Sequence, residues 1–188
     1  AWGDSGTPFS IPSVLNQSEL LAEEGYRVLA LAAKPLSDVS DSAEHDLVLL
    51  GLVALLDPPR EGVRQAVEDS RSAGITPVMI TGDHPGTALA IAKRVSIATS
   101  KDVVMTGSEL AALTDAAFAE RVSGTRVYAR VDPEQKIRIV KALQSKGEFV
   151  AMTGDGVNDA PALKRADIGV AMGRKGTDVA RESAEMVL

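Results

Sequence analysis

Residues 149–159 read Phe149-Val150-Ala151-Met152-Thr153-Gly154-Asp155-Gly156-Val157-Asn158-Asp159. Four apolar residues, the length of a short buried strand, run straight into Thr-Gly-Asp-Gly, where glycines and carboxylates end any regular element. The same ending occurs upstream in Val78-Met79-Ile80-Thr81-Gly82-Asp83. Two apolar strands that finish in matching loops, with helix-spaced segments between them, describe repeated β/α units and hence a parallel sheet covered by helices. Both loops then open at one edge, outside the carboxyl ends of the strands, where open α/β sheets take their ligands.

Outward from this pair, apolar spacing predicts helices over Glu61 to Ala73 (ended by Gly74), Thr87 to Val95 and Ser108 to Val122. Strands are expected at Thr76 to Ile80, Arg126 to Ala129 and Phe149 to Met152, with shorter apolar runs at Ile168 to Ala171 and Met186 to Leu188. Near Pro133 a helix start is explicit, since Asp132 can cap it, Pro133 suits its first position and Gln135 sits where a capping-box partner belongs. Lys136 therefore falls in the first turn or just past it. The opening third has a different pattern. A helix over Ile11 to Glu24 with Gly25 as its cap precedes strands at Tyr26 to Ala33 and Leu47 to Leu55, joined by a long loop over the polar stretch Ser37 to Asp46. Asp57-Pro58-Pro59-Arg60 then fixes backbone φ twice and removes two donors, which places a hinge between two domains, 1–56 and 57–188.

Composition narrows the chemistry. With 188 residues and 45% hydrophobic content the chain can bury a core, and a net charge of −6 with both signs scattered along it argues against nucleic acid or an anionic membrane surface. There is no cysteine and only His45 and His84 as histidines, so thiolate and zinc-cluster sites are excluded and any metal must sit on oxygen. The longest apolar run, Leu47 to Leu56, falls short of the ~20 residues that span a bilayer. A soluble, cytosolic chain is expected, and its start at Ala1-Trp2-Gly3-Asp4, without methionine, suggests an internal fragment.

The paired loops offer hydroxyls, backbone N–H groups and carboxylates, an inventory that suits a phosphate with a hard cation. Magnesium takes one or two carboxylates plus phosphate oxygens and waters, so Asp155 and Asp159 can serve as ligand and supporting acid. Lys136 would neutralise phosphate charge. Asn158 and Thr81 would donate to a transferring phosphoryl group, where positioning and electrostatics supply most of the catalysis. Plainer readings stand beside these: Thr81-Gly82-Asp83 alone could be an ordinary turn and Lys136 a solvated charge, while His84 and His45 read as loop residues and the acids from Asp41 to Asp46 as solvated loop charge.

At this point a resemblance becomes specific. Thr153-Gly154-Asp155-Gly156-Val157-Asn158-Asp159-Ala160-Pro161-Ala162-Leu163 is similar to the hinge motif of P-type cation-transporting ATPases, members of the haloacid dehalogenase superfamily. Three weaker matches follow the family's order: Asp57-Pro58-Pro59-Arg60, Thr81-Gly82-Asp83-His84, and Ala129-Arg130-Val131-Asp132-Pro133 leading to Lys136. The resemblance implies a haloacid-dehalogenase-like, Rossmann-type parallel sheet with helices on both faces after Asp57, preceded by the closing part of an α+β nucleotide-binding domain. It implies Thr81, Lys136 and Asn158 at the phosphate, Asp155 on Mg2+, Asp159 supporting the site, and Gly82, Asp83 and Arg130 towards ATP. Arg27, in Tyr26-Arg27-Val28-Leu29-Ala30-Leu31-Ala32, resembles the family's nucleotide-contacting arginine. It further implies a parent pump whose other domains, transmembrane helices included, are the partners of this segment on the cytoplasmic face of a membrane.

One departure has consequences. The family's D-K-T-G-T segment, whose aspartate attacks the γ-phosphate, does not occur in these residues. Asp57 closes an apolar run but is followed by Pro58, Pro59 and Arg60, so it is rejected as the nucleophile. Without that acid the covalent intermediate cannot form, and the chain alone is expected to be inactive. In the family the strand bearing it lies between those carrying Thr81 and Asp155, so a gap is expected mid-sheet. That gap would be closed by the flanking strands meeting, by the N-terminal segment filling in, or by a strand-sharing dimer. The competing functions are a self-contained haloacid-dehalogenase-like phosphatase and a nucleotide- or magnesium-binding module without chemistry.

Overall fold

The structure, a computed structural model, describes residues 10–35, 45 and 47–188. Helix α1 (Ile11–Glu23) opens it with Pro12 in its first turn and ends where Gly25 takes φ 94°. Strands β1 (Arg27–Ala33) and β2 (Val48–Leu55) pair antiparallel, from Arg27 opposite Leu55 to Ala33 opposite Val48, with a register shift between Leu31 and Ala32. Of the long connection expected over 37–46, only His45 lies among the described residues. Residues 56–60 carry neither helix nor strand, as the two prolines require.

The remainder alternates: α2 (Val63–Ser72), β3 (Met79–Ile80), α3 (Pro85–Arg94), β4 (Val104–Thr106), α4 (Gly107–Ala112), α5 (Asp115–Val122), β5 (Val127–Ala129), α6 (Pro133–Ser145), β6 (Ala151–Gly154), a 3-10 turn (Val157–Asp159), α7 (Ala160–Arg165), β7 (Ile168–Ala171), α8 (Asp178–Glu182) and β8 (Met186–Val187). All of its strand pairs are parallel, in two sheets ordered β3-β5-β4 and β6-β7-β8. Among the described residues β3 and β6 do not pair, so the expected gap is present. Neither single-chain closure takes place: the flanking strands stay apart, and β1 and β2 pair only with each other. The single sheet expected from the sequence is thus two half-sheets.

Alternation along β5 fixes the layers. Tyr128 points into a core with Leu110, Phe118, Val122, Val131 and Ile139, beneath α4, α5 and α6. Val127 and Ala129 point the other way, onto Ala88, Ala92 and Ala98 of α3 and the loop after it. Alanines on that second face let helix and sheet approach closely, and helices cover both faces. A third cluster, Met152, Ala162, Leu163, Ala171 and Ala180, joins α7 and α8 to the second half-sheet, with Ile137 of α6 packed against it. Helix α6 therefore contacts both half-sheets, giving Ile139 to one core and Ile137 to the other. A fully buried side chain such as Ile139 contributes roughly 1.5–3 kcal/mol, and the partly buried Ile137 less.

Three local expectations are corrected. The strand expected at Phe149 to Met152 runs instead over Ala151–Gly154, and Phe149 is exposed. The single helix over Ser108 to Val122 is broken, because Leu113 is extended and the Thr114 hydroxyl accepts from Ala117 N to start a new helix. Arg138 secures the break by donating to the carbonyls of Leu110 (2.6 Å) and Leu113 (2.5 Å), while its guanidinium lies 5.3 Å from the Phe118 ring centroid. The strand at Thr76 to Ile80 shortens to Met79–Ile80, since Pro77 has no donor for a ladder. Strand β4 and helices α7 and α8 were not expected at all.

Candidate functional site

The two Thr-Gly-Asp loops wall one crevice of about 370 Å3, with Thr81 and Gly82 on one side and Thr153, Gly154 and Asp155 on the other. Lys136 and Asp159 line the same space. Each loop is placed by the strand before it. Thr81 N donates to Tyr128 O at 2.9 Å and so extends the β3–β5 ladder by one residue. Its hydroxyl donates to the Asp83 carboxylate at 2.9 Å and accepts from Asp83 N at 3.1 Å, closing a tight turn. To donate to a ligand, the Thr81 hydroxyl must leave Asp83.

Lys136 and Asp159 form the central pair. The Asp132 carboxylate accepts from Gln135 N at 2.8 Å and Gln135 Oε1 accepts from Asp132 N at 3.1 Å, so the capping box read from the sequence is present and places Lys136 at the first turn of α6. From there its ammonium reaches one Asp159 oxygen at 2.6 Å, the two side chains being only 13% and 14% exposed. The other Asp159 oxygen accepts from Gly156 N (3.1 Å) and Asp155 N (3.3 Å). Asp159 thus fastens the loop after β6 to α6. A Cβ on Gly154 would lie 2.5 Å from Asp159 Cβ, so the loop can close on the carboxylate only with glycine there. Burial disfavours the charged form of Asp159, yet the Lys136 hydrogen bond, the Gly156 and Asp155 N–H groups and the Lys136 charge outweigh it and hold its pKa below the usual carboxylate value.

Asp155 differs from Asp159. It is exposed and takes part in no ion pair among the described residues, while its backbone is held by Thr177 N donating to its carbonyl at 2.8 Å. A free carboxylate beside hydroxyls and N–H groups fits a magnesium ion that arrives with phosphate oxygens and waters, though among the described residues no group of three or more acids or histidines forms a cage.

A family model described as haloacid dehalogenase-like hydrolase matches residues 13–167. The chain belongs to the haloacid dehalogenase-like hydrolase family. Among curated proteins this hydrolase domain is 51% identical to Calcium-transporting ATPase 1 of Lactococcus lactis over 92% of the chain and 20% of that protein. It is 48% identical to the Probable cation-transporting ATPase F of Mycobacterium bovis over 96% of the chain and 21% of that protein. It is also 51% identical to the Cation-transporting ATPase pma1 of Synechocystis over 90% of the chain and 19% of that protein. The chain spans about a fifth of the length of these relatives. Among its described residues no helix is long and apolar enough to cross a membrane.

A second crevice of the hydrolase domain, about 470 Å3, lies between α1–β1 and the loops after β3 and β5. It collects Arg27, Gly82, Asp83 and Arg130, which the resemblance assigned to nucleotide. Its two sides are tied by Thr87, whose buried hydroxyl donates to Tyr26 O at 3.1 Å, and by Arg94, which donates to Glu24 O at 2.7 Å. The segments on either side of Asp57–Arg60 are therefore in contact.

Asn158 is not brought to either crevice wall; it is exposed on the 3-10 turn. His84, read from the sequence as a plain loop residue, is the N-cap of α3, its Nδ1 accepting from Gly86 N at 3.2 Å, and it lines the second crevice. The following Pro85 at the first helical position was the available signal for that cap.

Proposed function

We propose that these residues are the phosphoryl-handling segment of a P-type cation-transporting ATPase, with 57–188 as its phosphorylation domain and 1–56 as the closing part of its nucleotide-binding domain. The observation that carries the reading is the meeting of Thr81, Lys136, Asp155 and Asp159 at one crevice between two half-sheets that do not pair.

In this reading the strand bearing the attacking aspartate belongs between β3 and β6, whose free edges are open to it. Lys136 neutralises the phosphoryl group, drawing on a charge already oriented by Asp159. Thr81 donates to a phosphoryl oxygen after exchanging its bond to Asp83. Asn158 reaches the phosphate by reorientation of its exposed turn. Asp155 would hold Mg2+, which when bound supplies charge stabilisation to the transferring phosphoryl oxygens. Arg27, Gly82, Asp83 and Arg130 would face the ATP that occupies the second crevice. The parent would carry these loops on the cytoplasmic face of the membrane and couple the aspartyl-phosphate cycle to cation movement through its other domains. The same free edges would let two isolated copies share strands.

Phosphate release from ATP and from acetyl phosphate, measured on the purified 188-residue chain with and without magnesium, tests this. No magnesium-dependent turnover is expected, because the attacking carboxylate is not in the chain. Sustained turnover would establish a self-contained phosphatase instead.

A further inference from the structure

Arg130 is one of two non-glycine residues with a left-handed backbone among the described residues, at φ 51°. L side chains stay in that region only when their surroundings hold them there. The bend serves both loops of the second crevice. It turns Arg130 N onto Asp83 O at 3.2 Å and, one residue on, Val131 N onto Thr81 O at 3.3 Å. Glycine at this position would adopt the bend freely, so the presence of arginine argues that the guanidinium is wanted where the bend puts it.

The restraint comes from β4, on the far side of β5 from β3. Parallel pairing sets Thr106 against Ala129, which delivers the next residue, Gly107, beside Arg130. A Cβ on Gly107 would lie 2.3 Å from the Arg130 carbonyl oxygen and 2.5 Å from Gln135 Oε1. Gln135 completes the lock, since its Nε2 donates to Gly107 O at 2.8 Å while its Oε1 accepts from Asp132 N at 3.1 Å. The sequence carries a trace of this: Met105-Thr106-Gly107 is a third strand ending in Thr-Gly, beside those at Thr81 and Thr153.

We propose that Gly107 and Gln135 are positioning residues for Arg130: Gly107 lies against its carbonyl and Gln135 holds Gly107 there, which keeps the Arg130 backbone left-handed and so aims its guanidinium at the phosphates of a nucleotide in the second crevice. Neither touches that crevice. The inference rests on the reading of the crevice as a nucleotide site.

The test is NMR on the 188-residue chain, which reads the Arg130 HN–Hα coupling and amide shift as reporters of φ and follows binding by titration with ATP. Gln135→Glu keeps an oxygen for Asp132 N and removes the donor to Gly107 O; Gly107→Ala adds the clashing Cβ. Both are expected to shift the Arg130 signals away from the left-handed values and to weaken ATP binding about tenfold, the loss of one charge-assisted hydrogen bond. In an Arg130→Gly background, where the guanidinium is gone and glycine keeps the bend unaided, Gln135→Glu is expected to cause no further loss. An equal loss in both backgrounds would overturn the inference and leave the crevice assignment intact. An Arg130→Gly chain that binds ATP as well as the unmodified one would remove the nucleotide reading of Arg130, and the inference with it. Should Gly107→Ala fail to fold, Gln135→Glu decides alone.

Discussion

Replacing Asp159 with alanine is expected to lower the melting temperature of the chain by roughly 10 °C. The change leaves the Lys136 ammonium without its counter-ion at a site where the two side chains are only 13% and 14% exposed, and it strips the acceptor from two N–H groups of the loop. Loss of one partner from a nearly buried ion pair costs about 3 kcal/mol, and in a chain of this size each kcal/mol moves the midpoint by about 2–4 °C. Thermal scans of both proteins check it, and a shift below about 2 °C would show a pair screened by solvent. The pH dependence gives a second reading. Because the folded pKa of Asp159 is depressed, its contribution is fully present above the unfolded carboxylate pKa and is lost as pH falls through the folded one. The gap between parent and variant should therefore be constant near neutrality and shrink in acid.

What could be read from the sequence follows the length scale of each determinant. Residues that act on their immediate neighbours were legible: Asp132, Pro133 and Gln135 started α6 as expected, and Pro58 and Pro59 kept residues 56–60 out of regular structure. The repeated Thr-Gly-Asp endings were legible as well, and Thr81 and Asp155 line one crevice, each following a strand paired in parallel within its own half-sheet. Contacts made across the fold left no such mark. The break between α4 and α5 depends on Arg138 reaching the Leu110 and Leu113 carbonyls from a helix more than twenty residues later. The Lys136–Asp159 pair spans 23 residues, and neither residue alone signals it. Strand β4 was not read although β5, of the same three-residue length, was, and the role of Gly107 became visible only beside Arg130.

Asp155→Asn in a full-length protein carrying this segment is expected to reduce magnesium-dependent phosphoenzyme by a factor on the order of 100 or more, the scale set by removal of a single preorganised electrostatic group. The substitution is nearly isosteric, and the two bonds that hold the residue are made by its backbone, to Thr177 N and to the Asp159 carboxylate, so loop and fold should persist. Its melting temperature should change by less than about 1 °C, since the exposed carboxylate takes part in no ion pair among the described residues. That separates it from Asp159→Ala, in which stability falls together with any activity. An amide oxygen still coordinates a hard cation, though without the charge, so raising magnesium should recover part of the phosphoenzyme if Asp155 holds the ion. Failure to recover at any magnesium concentration would instead assign the carboxylate to the phosphoryl group or its nucleophile. Phosphoenzyme at the unmodified level would refute both roles and leave Lys136 as the charged group of the crevice on which the chemistry depends.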